Sequence, residues 1–440
     1  MKYNIIIFFL SIAASNLSAQ SLLTLQTAVN NAINNNLELK SEQFNTEIDR
    51  NSITRANAGQ MPTISLSANL EYGLAPFTQL ELGIQGPTGE NTIQEFDFTN
   101  STTGLLAANA NYTLYDGKQG KYRYEQLQMQ YGISQTQVKM MTERIIQQTV
   151  NAYIAVARQQ SLLELNTQSI ELSQERIERL EAQAKYGTAI RLQLTQAVVD
   201  LKSDSATYRT TALNLERAKN DLSVLMGQIA DEDFRVEENF QLTPDLEYAR
   251  LKADLLESNN AIVLNDRLLQ LNELNLNLTK TAYQPRVQAY AEGNYLRTTD
   301  EANILLSNEL MGFNFGLRAS YNLFDGGLRK TREQNAKLAI EQQRSSRAQT
   351  TLNLETQLNS AFLQYEDSQE QLRIEESNLV LFEENYERVA DNYKLGQASA
   401  TDLRSAQLNL NAANNRINNL RYNIKQAETA LLYLSGRLVE

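Results

Sequence analysis

The chain has 440 residues, contains no cysteine, histidine or tryptophan, and carries a formal net charge of −12 at pH 7. The lack of cysteine and histidine excludes imidazole-dependent catalytic triads, cysteine nucleophiles, disulfides, and metal or haem sites with thiolate or imidazole ligands. The acidic balance argues against a nucleic-acid partner, because such a partner requires a basic surface. Composition alone leaves open a site built only from carboxylates.

The first residues have the pattern of a secretory signal peptide. Lys2 precedes an apolar stretch that runs to Ala14, and the small pair Ser18-Ala19 offers a cleavage site. We therefore predict that residues 1–19 are a signal peptide that is removed during export. The apolar stretch is too short to cross a membrane as a helix, which needs about 20 residues.

A short helical segment and two alternating segments follow in each half of the chain. The helices are predicted around residues 25–58 and 246–282. The alternating segments carry an apolar residue at every second position over about ten residues, which is typical of transmembrane β-strands. The apolar positions are Ile64, Leu66, Ala68, Leu70 and Tyr72; Leu106, Ala108, Ala110, Tyr112 and Leu114; Val287, Ala289, Ala291, Gly293 and Tyr295; and Phe313, Phe315, Leu317, Ala319, Tyr321 and Leu323.

Four such strands cannot close a barrel alone. Because a sheet edge left open in lipid has unsatisfied backbone groups, we expect several copies of the chain to share one barrel. The alternative, a half-buried soluble sheet, needs a core on its apolar side, and the long helices predicted next offer no face to cover it. Residues 75–98 lie between the first two strands and contain Pro76, Pro87 and three glycines. We predict that they form an extracellular loop.

Long helices are predicted after the strands. No proline occurs in residues 88–243 or 286–440, and glycine is rare in both stretches. Each half is therefore expected to form a helix of about 70 residues, a turn at Gly187 or Gly396, and a return helix of about 40 residues. Two heptad seams on the last helix predict a coiled coil. The seams are Leu403, Leu410, Ile417, Ile424 and Leu431, and Ala406, Ala413, Leu420, Ala427 and Leu434. The first half repeats the seams, with Asp204 at the position of Ala413.

The chain contains an internal duplication. Tyr115-Asp116-Gly117 recurs 209 residues later as Phe324-Asp325-Gly326, and Leu225-Met226-Gly227 recurs at the same offset as Leu434-Ser435-Gly436. We predict a first repeat over residues 20–227, an acidic connector over 228–245, and a second repeat over 246–440. The aspartates of the Asp-Gly pairs are expected to cap the helices that follow them.

These features resemble the TolC-like outer membrane efflux protein family. The resemblance is carried by the signal peptide, the duplicated helix–strand–strand–helix plan, the sequences YTLYDG and YNLFDGG, and the turn Tyr393-Lys394-Leu395-Gly396. It implies an α+β membrane protein with long antiparallel coiled-coil hairpins and four transmembrane strands per chain. Three chains would form a homotrimer, with a twelve-stranded barrel among outer membrane lipids and an α-helical tunnel in the periplasm. The tunnel tip would dock on a periplasmic adaptor protein that is linked to an inner-membrane pump.

The resemblance also implies a gate and a docking surface at the tip. The family's turn has a tyrosine before its glycine and an aspartate after it, and these positions are Tyr393 and Asp402 here. A second acidic position holds Ser405, the first-repeat counterpart of Asp402 is Gln193, and an arginine position holds Ala398. We therefore expect hydrogen bonds or packing, rather than ion pairs, to close the gate; interaction with the helix dipole explains Asp402 equally well. The implied docking residues are Tyr186, Gly187, Thr188, Leu395, Gly396 and Gln397.

The combined prediction is the outer membrane channel-tunnel of a tripartite efflux pump or type I secretion system, a passive export duct without catalytic residues. The alternative is a secreted structural coiled-coil protein without channel activity, which does not explain the signal peptide or the alternating strands. An enzyme with paired carboxylates would need acidic residues that converge on a pocket, whereas the acidic residues here are scattered along helix faces. We predict no enzymatic activity, no metal and no cofactor.

Overall fold

The computed structural model describes residues 21–85, 91–185, 191–228, 234–238, 240, 242, 246–301 and 307–438. The predicted signal peptide lies outside these residues. The described part contains eight α-helices and six strands. In chain order these are β1 (Ser21–Leu23), α1 (Leu25–Asn35), α2 (Leu37–Ser52), β2 (Thr63–Gln85), β3 (Asn91–Tyr115), α3 (Gln119–Lys185), α4 (Arg191–Leu225), β4 (Phe234–Val236), α5 (Tyr248–Ser258), α6 (Asn260–Lys280), β5 (Arg286–Asp300), β6 (Ser307–Ser320), α7 (Leu328–Lys394) and α8 (Ala400–Leu434).

The chain divides into two compact units. The helical unit comprises Met1–Glu42, Val138–Asn260 and Thr351–Glu440, and the sheet unit comprises Gln43–Gln137 and Ala261–Thr350. None of the helices among the described residues combines the length and the apolar character needed to cross a membrane.

The sheet unit contains one antiparallel sheet with the strand order β2-β3-β5-β6. Its register pairs Ile64 with Ala110, Ala110 with Ala291, and Ala291 with Phe315. Because directly opposite residues share a face, the predicted apolar positions that lie in paired strands fall on one side of the sheet. Tyr321 and Leu323, which were predicted to continue the fourth strand, lie beyond its end at Ser320. The predicted length of about ten residues was wrong: β2 and β3 have 23 and 25 residues, and β5 and β6 have 15 and 14.

The predicted loop at residues 75–98 is mostly a two-stranded ribbon. Residues of β2 up to Leu82 continue to pair with β3, and only residues 86–90 lie outside the described chain. The ribbon accommodates Pro76 because the register skips it: Ala75 pairs with Thr99 and Phe77 with Asp97. A proline that lacks an N–H is tolerated where no ladder bond is required, so its presence did not mark the end of the strand.

The two long hairpins repeat with the predicted spacing. Helices α3 and α7 each have 67 residues and begin 209 positions apart, and α4 and α8 each have 35 and also begin 209 apart. The predicted seams are buried or half-buried; Ala413, Ile424 and Leu431 have 1% exposure or less. The aspartate caps are confirmed, since Asp116 accepts a hydrogen bond from the Gly120 amide and Asp325 accepts one from the Arg329 amide.

Each predicted short helix is broken by an asparagine. Asn36 separates α1 from α2, and Asn259 separates α5 from α6. The backbone of both residues is extended, and the Asn36 side chain accepts hydrogen bonds from the amides of Glu38 and Leu39. Asparagine is a favoured helix N-cap because its short side chain satisfies amides of the first turn. The prediction of one continuous helix over residues 25–58 and another over residues 246–282 was therefore wrong.

The connector between the repeats is anchored to α3. Strand β4 pairs in parallel with β1, and Tyr153 lies against both strands. The Tyr153 hydroxyl donates to the carbonyl of Leu23 at 2.6 Å and accepts from the amide of Glu237 at 2.9 Å. Tyr153 is fully buried in the largest apolar cluster of the helical unit, and this burial raises its pKa to about 12.

Candidate functional site

The sheet presents two chemically different faces. On the apolar face, Ile64 and Phe315 are 82% and 86% exposed. The opposite face carries polar side chains such as Glu71, Asn109 and Glu292. A contiguous exposed apolar face of this kind is unfavourable in water and is typical of a surface that contacts lipid or protein. Within the described chain, the outer strands β2 and β6 are each paired on one side only.

The turn between α7 and α8 has a left-handed glycine. Gly396 has φ of +76° and donates its amide to the carbonyl of Tyr393, while the amide of Gln397 donates to Asn392 at 2.8 Å. These bonds satisfy carbonyl groups at the end of α7, which is the usual role of a glycine at this position. Apart from the two neighbouring residues, no atom of the described part of the chain lies within 4 Å of the place that a Cβ would occupy at Gly396. The glycine is therefore required by the backbone and not by close packing.

Asp402 is engaged within its own turn. Its carboxylate accepts hydrogen bonds from the Ser399 amide at 2.9 Å and from the Ser399 hydroxyl at 2.7 Å, and its amide donates back to the hydroxyl oxygen. This reciprocal arrangement is a capping box at the start of α8. The hydrogen bonds from Ser399 lower the pKa of Asp402, so the carboxylate is charged at neutral pH.

The other predicted tip residues do not join Asp402. The Arg179 guanidinium lies over the Tyr393 ring, 5.3 Å from its centroid, and the Tyr393 hydroxyl has no hydrogen-bond partner in the described part of the chain. Ser405, Gln193 and the predicted docking residues Leu395 and Gln397 are exposed. The remaining docking residues, Tyr186, Gly187 and Thr188, lie outside the described residues.

A buried network of ion pairs near the tip was missed from the sequence. Asp204 on α4 binds Arg404 on α8 at 2.5 Å and accepts a hydrogen bond from Ser173 on α3 at 2.7 Å. Arg176 on α3 pairs with Asp200 on α4. The signal for this network was the aspartate in the heptad seam, because a charge in an apolar seam needs a partner. Ion pairs as well as hydrogen bonds therefore connect the three helices.

A polar row continues along the contact between α3 and α8. Asn411 donates to Ser169 at 2.8 Å, and Asn418 donates to Ser161 at 2.7 Å. Further along, the Tyr422 hydroxyl donates to the carbonyl of Ala157 at 3.2 Å. The two hairpins of the helical unit are thus joined by repeated polar contacts in addition to their apolar seams.

Comparison with known proteins identifies the family of this chain. The profile of the outer membrane efflux protein family matches residues 28–228 and 253–437. The chain belongs to the outer membrane efflux protein family. It is 19% identical over 417 residues to the outer membrane efflux protein BepC of Brucella suis biovar 1 (strain 1330), covering 94% of this chain and 86% of BepC.

Solved structures agree with the family assignment. CusC matches with a TM-score of 0.73 at 16% identity, covering 94% of this chain and 92% of CusC. VceC of Vibrio cholerae matches with a TM-score of 0.71 at 15% identity, covering 94% and 96%. The open-state MtrE outer membrane channel of Neisseria gonorrhoeae matches with a TM-score of 0.70 at 18% identity, covering 94% and 89%.

The resemblance noted in the sequence is therefore confirmed. This outer membrane efflux protein has the α+β fold of the trimeric outer membrane channels, with long antiparallel helical hairpins and four long strands per chain. It is an efflux channel of the outer membrane whose helical tunnel extends into the periplasm, and its family consists of channels and not of enzymes. The secreted structural coiled coil is ruled out. The repeat boundaries stay a prediction.

Proposed function

We propose that this protein is the export duct of a tripartite pump, in which three chains close one barrel and the tunnel tip binds a periplasmic adaptor. The observation that carries the proposal is the sheet of β2, β3, β5 and β6, with one exposed apolar face, one polar face and two open edges. Three such sheets would supply twelve strands to one closed barrel. A closed barrel has no unpaired strand edge, and unpaired backbone groups are not tolerated in lipid.

The polar face of the sheet suits the wall of a water-filled duct. Glu71, Glu292 and Arg318 lie on this face, and the Arg318 guanidinium stacks on the ring of Tyr290 at 5.0 Å. Three copies would repeat these side chains around the lumen. Such a lumen conducts solutes and tunes their selectivity by charge.

The turn at residues 395–397 supports the proposed docking. Leu395 is 72% exposed although it is apolar, and it precedes Gly396, whose Cβ position meets no atom of the described residues beyond its two neighbours. An exposed apolar residue on this turn can bury its surface against a partner protein. The predicted counterpart at residues 186–188 would double the number of turns in the trimer. An efflux assay of this docking therefore uses cells that also contain the adaptor and the inner-membrane pump.

A pair of substitutions at Gly396 tests the docking. Asparagine tolerates a left-handed backbone, so Gly396→Asn should keep the turn, whereas Gly396→Trp adds a bulky group at the proposed interface. We expect Gly396→Trp to abolish efflux in cells and Gly396→Asn to preserve it, with equal trimer yield in the outer membrane. Normal export by Gly396→Trp, or loss of its trimer, would contradict the docking assignment.

A mass measurement tests the assembly independently. The purified protein in detergent should have the mass of three chains and should form conducting channels in planar bilayers. A stable monomer that remains in the membrane would contradict the shared barrel, because its outer strands would leave unpaired backbone groups in lipid.

A further inference from the structure

The two hairpins of the helical unit meet along α3 and α8, and α7 keeps an apolar stripe that is largely exposed. Leu363, Ile374 and Leu381 are 57%, 49% and 64% exposed. Their spacings of 11 and 7 residues correspond to whole helical turns, so the three side chains lie on one side of α7. An exposed apolar stripe of this kind is typical of a surface that a partner covers.

The internal duplication indicates which helix covers this stripe. Helix α7 begins 209 residues after α3, and α8 begins 209 residues after α4. The contact of α8 with α3 therefore has an equivalent in a contact of α4 with α7. The described chain leaves these equivalent positions exposed. Tyr422 of α8 is 3% exposed, whereas its equivalent Leu213 of α4 is 53% exposed. Ala157 of α3 is fully buried, and its equivalent Glu366 of α7 is exposed.

The contact of α8 with α3 also gives the register of the equivalent contact. Asn411 donates to Ser169 at 2.8 Å, and the Tyr422 hydroxyl donates to the carbonyl of Ala157 at 3.2 Å. Residue numbers rise along α8 as they fall along α3, so the two helices are antiparallel. The pairs at the equivalent positions of α4 and α7 are Lys202 with Asn378, and Leu213 with Glu366.

The charges on the two exposed faces are complementary. Lys202 and Arg209 are exposed on α4, and Arg209 lies about one helical turn before Leu213. The exposed acidic residues on the facing side of α7 are Glu366, Asp367 and Glu370. Glu370 already pairs with Arg373 of its own helix at 2.6 Å, which leaves Glu366 as the acceptor within reach of Arg209. Opposite charges on two surfaces favour their association and determine which partner fits.

The in-chain contact of α8 with α3 is neutral at these positions, where asparagine side chains donate to serine side chains. The α4 face also contains one acidic residue, Glu216, which has its own cation in Lys219 at 3.6 Å. The equivalent contact of α4 with α7 therefore keeps the geometry of the in-chain contact but replaces neutral hydrogen bonds with ion pairs.

We propose that α4 of one chain packs antiparallel against α7 of a second copy, in the register of α8 on α3, with Arg209 bound to Glu366 of that copy. The proposal rests on the proposed trimer, in which each chain has two neighbours. It goes further because it identifies the helices and the residues that meet. Three seams between chains are then ionic, and three seams within chains are neutral.

Disulfide formation tests the register, because the chain has no native cysteine. Lys202→Cys/Asn378→Cys should form covalent dimers and trimers when outer membranes are treated with copper phenanthroline. The matched control Asn411→Cys/Ser169→Cys should lose its thiols to the same oxidant and keep the mass of one chain on a non-reducing gel. A variant that has the trimer mass before oxidation but forms no disulfide between chains would overturn the interface and leave the trimer intact. A monomeric unaltered protein would overturn both.

Charge reversal tests the ion pair without oxidation. Arg209→Glu and Glu366→Lys should each lower the melting temperature of the purified trimer, and high salt should reduce this loss. The double variant Arg209→Glu/Glu366→Lys should recover most of it, because the pair is re-formed with reversed charges. The mismatched control is Arg209→Glu/Glu376→Lys, which should not recover, since Glu376 faces Arg421 of its own chain at 3.0 Å. Additive effects of Arg209→Glu and Glu366→Lys would overturn the ion pair.

Discussion

Asn259 Nδ2 donates a hydrogen bond of 2.9 Å to the main-chain oxygen of Leu434. This bond ties the break between α5 and α6 to the end of α8. In the first repeat, the side-chain nitrogen of Asn36 faces the oxygen of Leu225 at 3.5 Å. The leucines are 209 residues apart, which is the offset of the internal duplication, and the asparagines are 223 apart, which is also the spacing of Pro62 and Pro285. In each repeat, the Leu-x-Gly motif therefore marks the place where the end of the return helix contacts the break between the two short helices.

The glycines of this motif are required for packing as well as for backbone conformation. Gly436 has φ of +74°, and a Cβ at this position would lie 2.8 Å from the main-chain oxygen of Ser258. Gly227 meets the main-chain oxygen of Asn35 at the same distance. A contact this short with a main-chain atom cannot be relieved by moving a flexible side chain.

Replacing Gly436 with alanine should therefore be more damaging than replacing Gly326. Gly326 has φ of +67°, and apart from its neighbours no atom of the described residues lies within 4 Å of its Cβ position. Gly326→Ala should therefore lower the free energy of unfolding only by the left-handed strain, about 1–2 kcal/mol. In Gly436→Ala, the clash should lower the free energy of unfolding by a further amount of about 1–3 kcal/mol. Thermal unfolding of the purified trimers, followed by circular dichroism, compares them. Equal melting temperatures would show that the close approach is not important.

Most of the architecture could be predicted from the sequence because its signals are periodic. The apolar positions around Ile64 and Phe315 alternate with a period of two, and the seam of Ile417, Ile424 and Leu431 repeats every seven residues. These periods determine which side of a strand or helix is apolar without any knowledge of partners. The breaks at Asn36 and Asn259 were missed because each depends on a tertiary contact with a distant helix end.

The candidate site was less predictable for the same reason. Asp204 was visible as a charge in an apolar seam, but its partner Arg404 lies 200 residues away and nothing local links them. Likewise, the network arginines Arg176 on α3 and Arg404 on α8 come from different hairpins. The capping role of Asp402 was predictable, because it follows from a serine three residues earlier.

Removing Asp204 should loosen the helices near the tip. Asp204→Ala leaves the partly buried Arg404 without its ion pair, and breaking such a pair costs about 3–5 kcal/mol. The double variant Asp204→Ala/Arg404→Met should recover much of that loss, since no unpaired charge remains. Hydrogen exchange at the start of α8 is the measurement. The surface pair Glu370 and Arg373 is the control, where Glu370→Ala should have a much smaller effect, because exposed ion pairs contribute little to stability.

Additive effects of Asp204→Ala and Arg404→Met on hydrogen exchange would contradict this account. Two residues that act through one bond cannot contribute independently.

Alkaline pH should destabilise the helical unit. Burial raises the pKa of Tyr153 and Tyr422 to about 12, against about 10 in an unfolded chain. Between these values the unfolded state has released protons that the folded state keeps, so the free energy of unfolding falls as pH rises from about 10 to about 12. Tyr153→Phe should be less stable at neutral pH, because it loses the bonds to Leu23 and Glu237, and should lose stability less steeply with pH.

Urea unfolding at a series of pH values measures this dependence. Tyr72→Phe, at an exposed position of β2, is the control and should follow the unaltered protein. The interpretation fails if Tyr153→Phe has the same alkaline slope as the unaltered protein.

Substitutions at Asp402 should separate its charge from its capping role. Asp402→Asn keeps an acceptor for the Ser399 amide but removes the charge, and Asp402→Ala removes both and should also weaken the start of α8. In the proposed trimer, three copies of this carboxylate would lie in one narrow ring and would favour cations. Both variants should therefore reduce cation preference in single-channel recordings. Unchanged selectivity in Asp402→Asn would leave Asp402 as a helix cap only.

In the proposed barrel, one face of the four-stranded sheet contacts lipid and the other lines a channel. Asn314 and Phe315 are neighbours on β6 and face opposite sides of the sheet. An arginine on the lipid face costs about 2–4 kcal/mol per chain near the bilayer midplane, whereas an arginine in a water-filled lumen changes selectivity instead.

The most direct measurement is a comparison of Asn314→Arg with Phe315→Arg for trimer yield in the outer membrane and ion selectivity in planar bilayers. We expect Phe315→Arg to lose most of the membrane trimer. We expect Asn314→Arg to assemble normally and to conduct with a lower cation preference. Normal assembly of Phe315→Arg, or loss of assembly in Asn314→Arg with Phe315→Arg unaffected, would contradict the account.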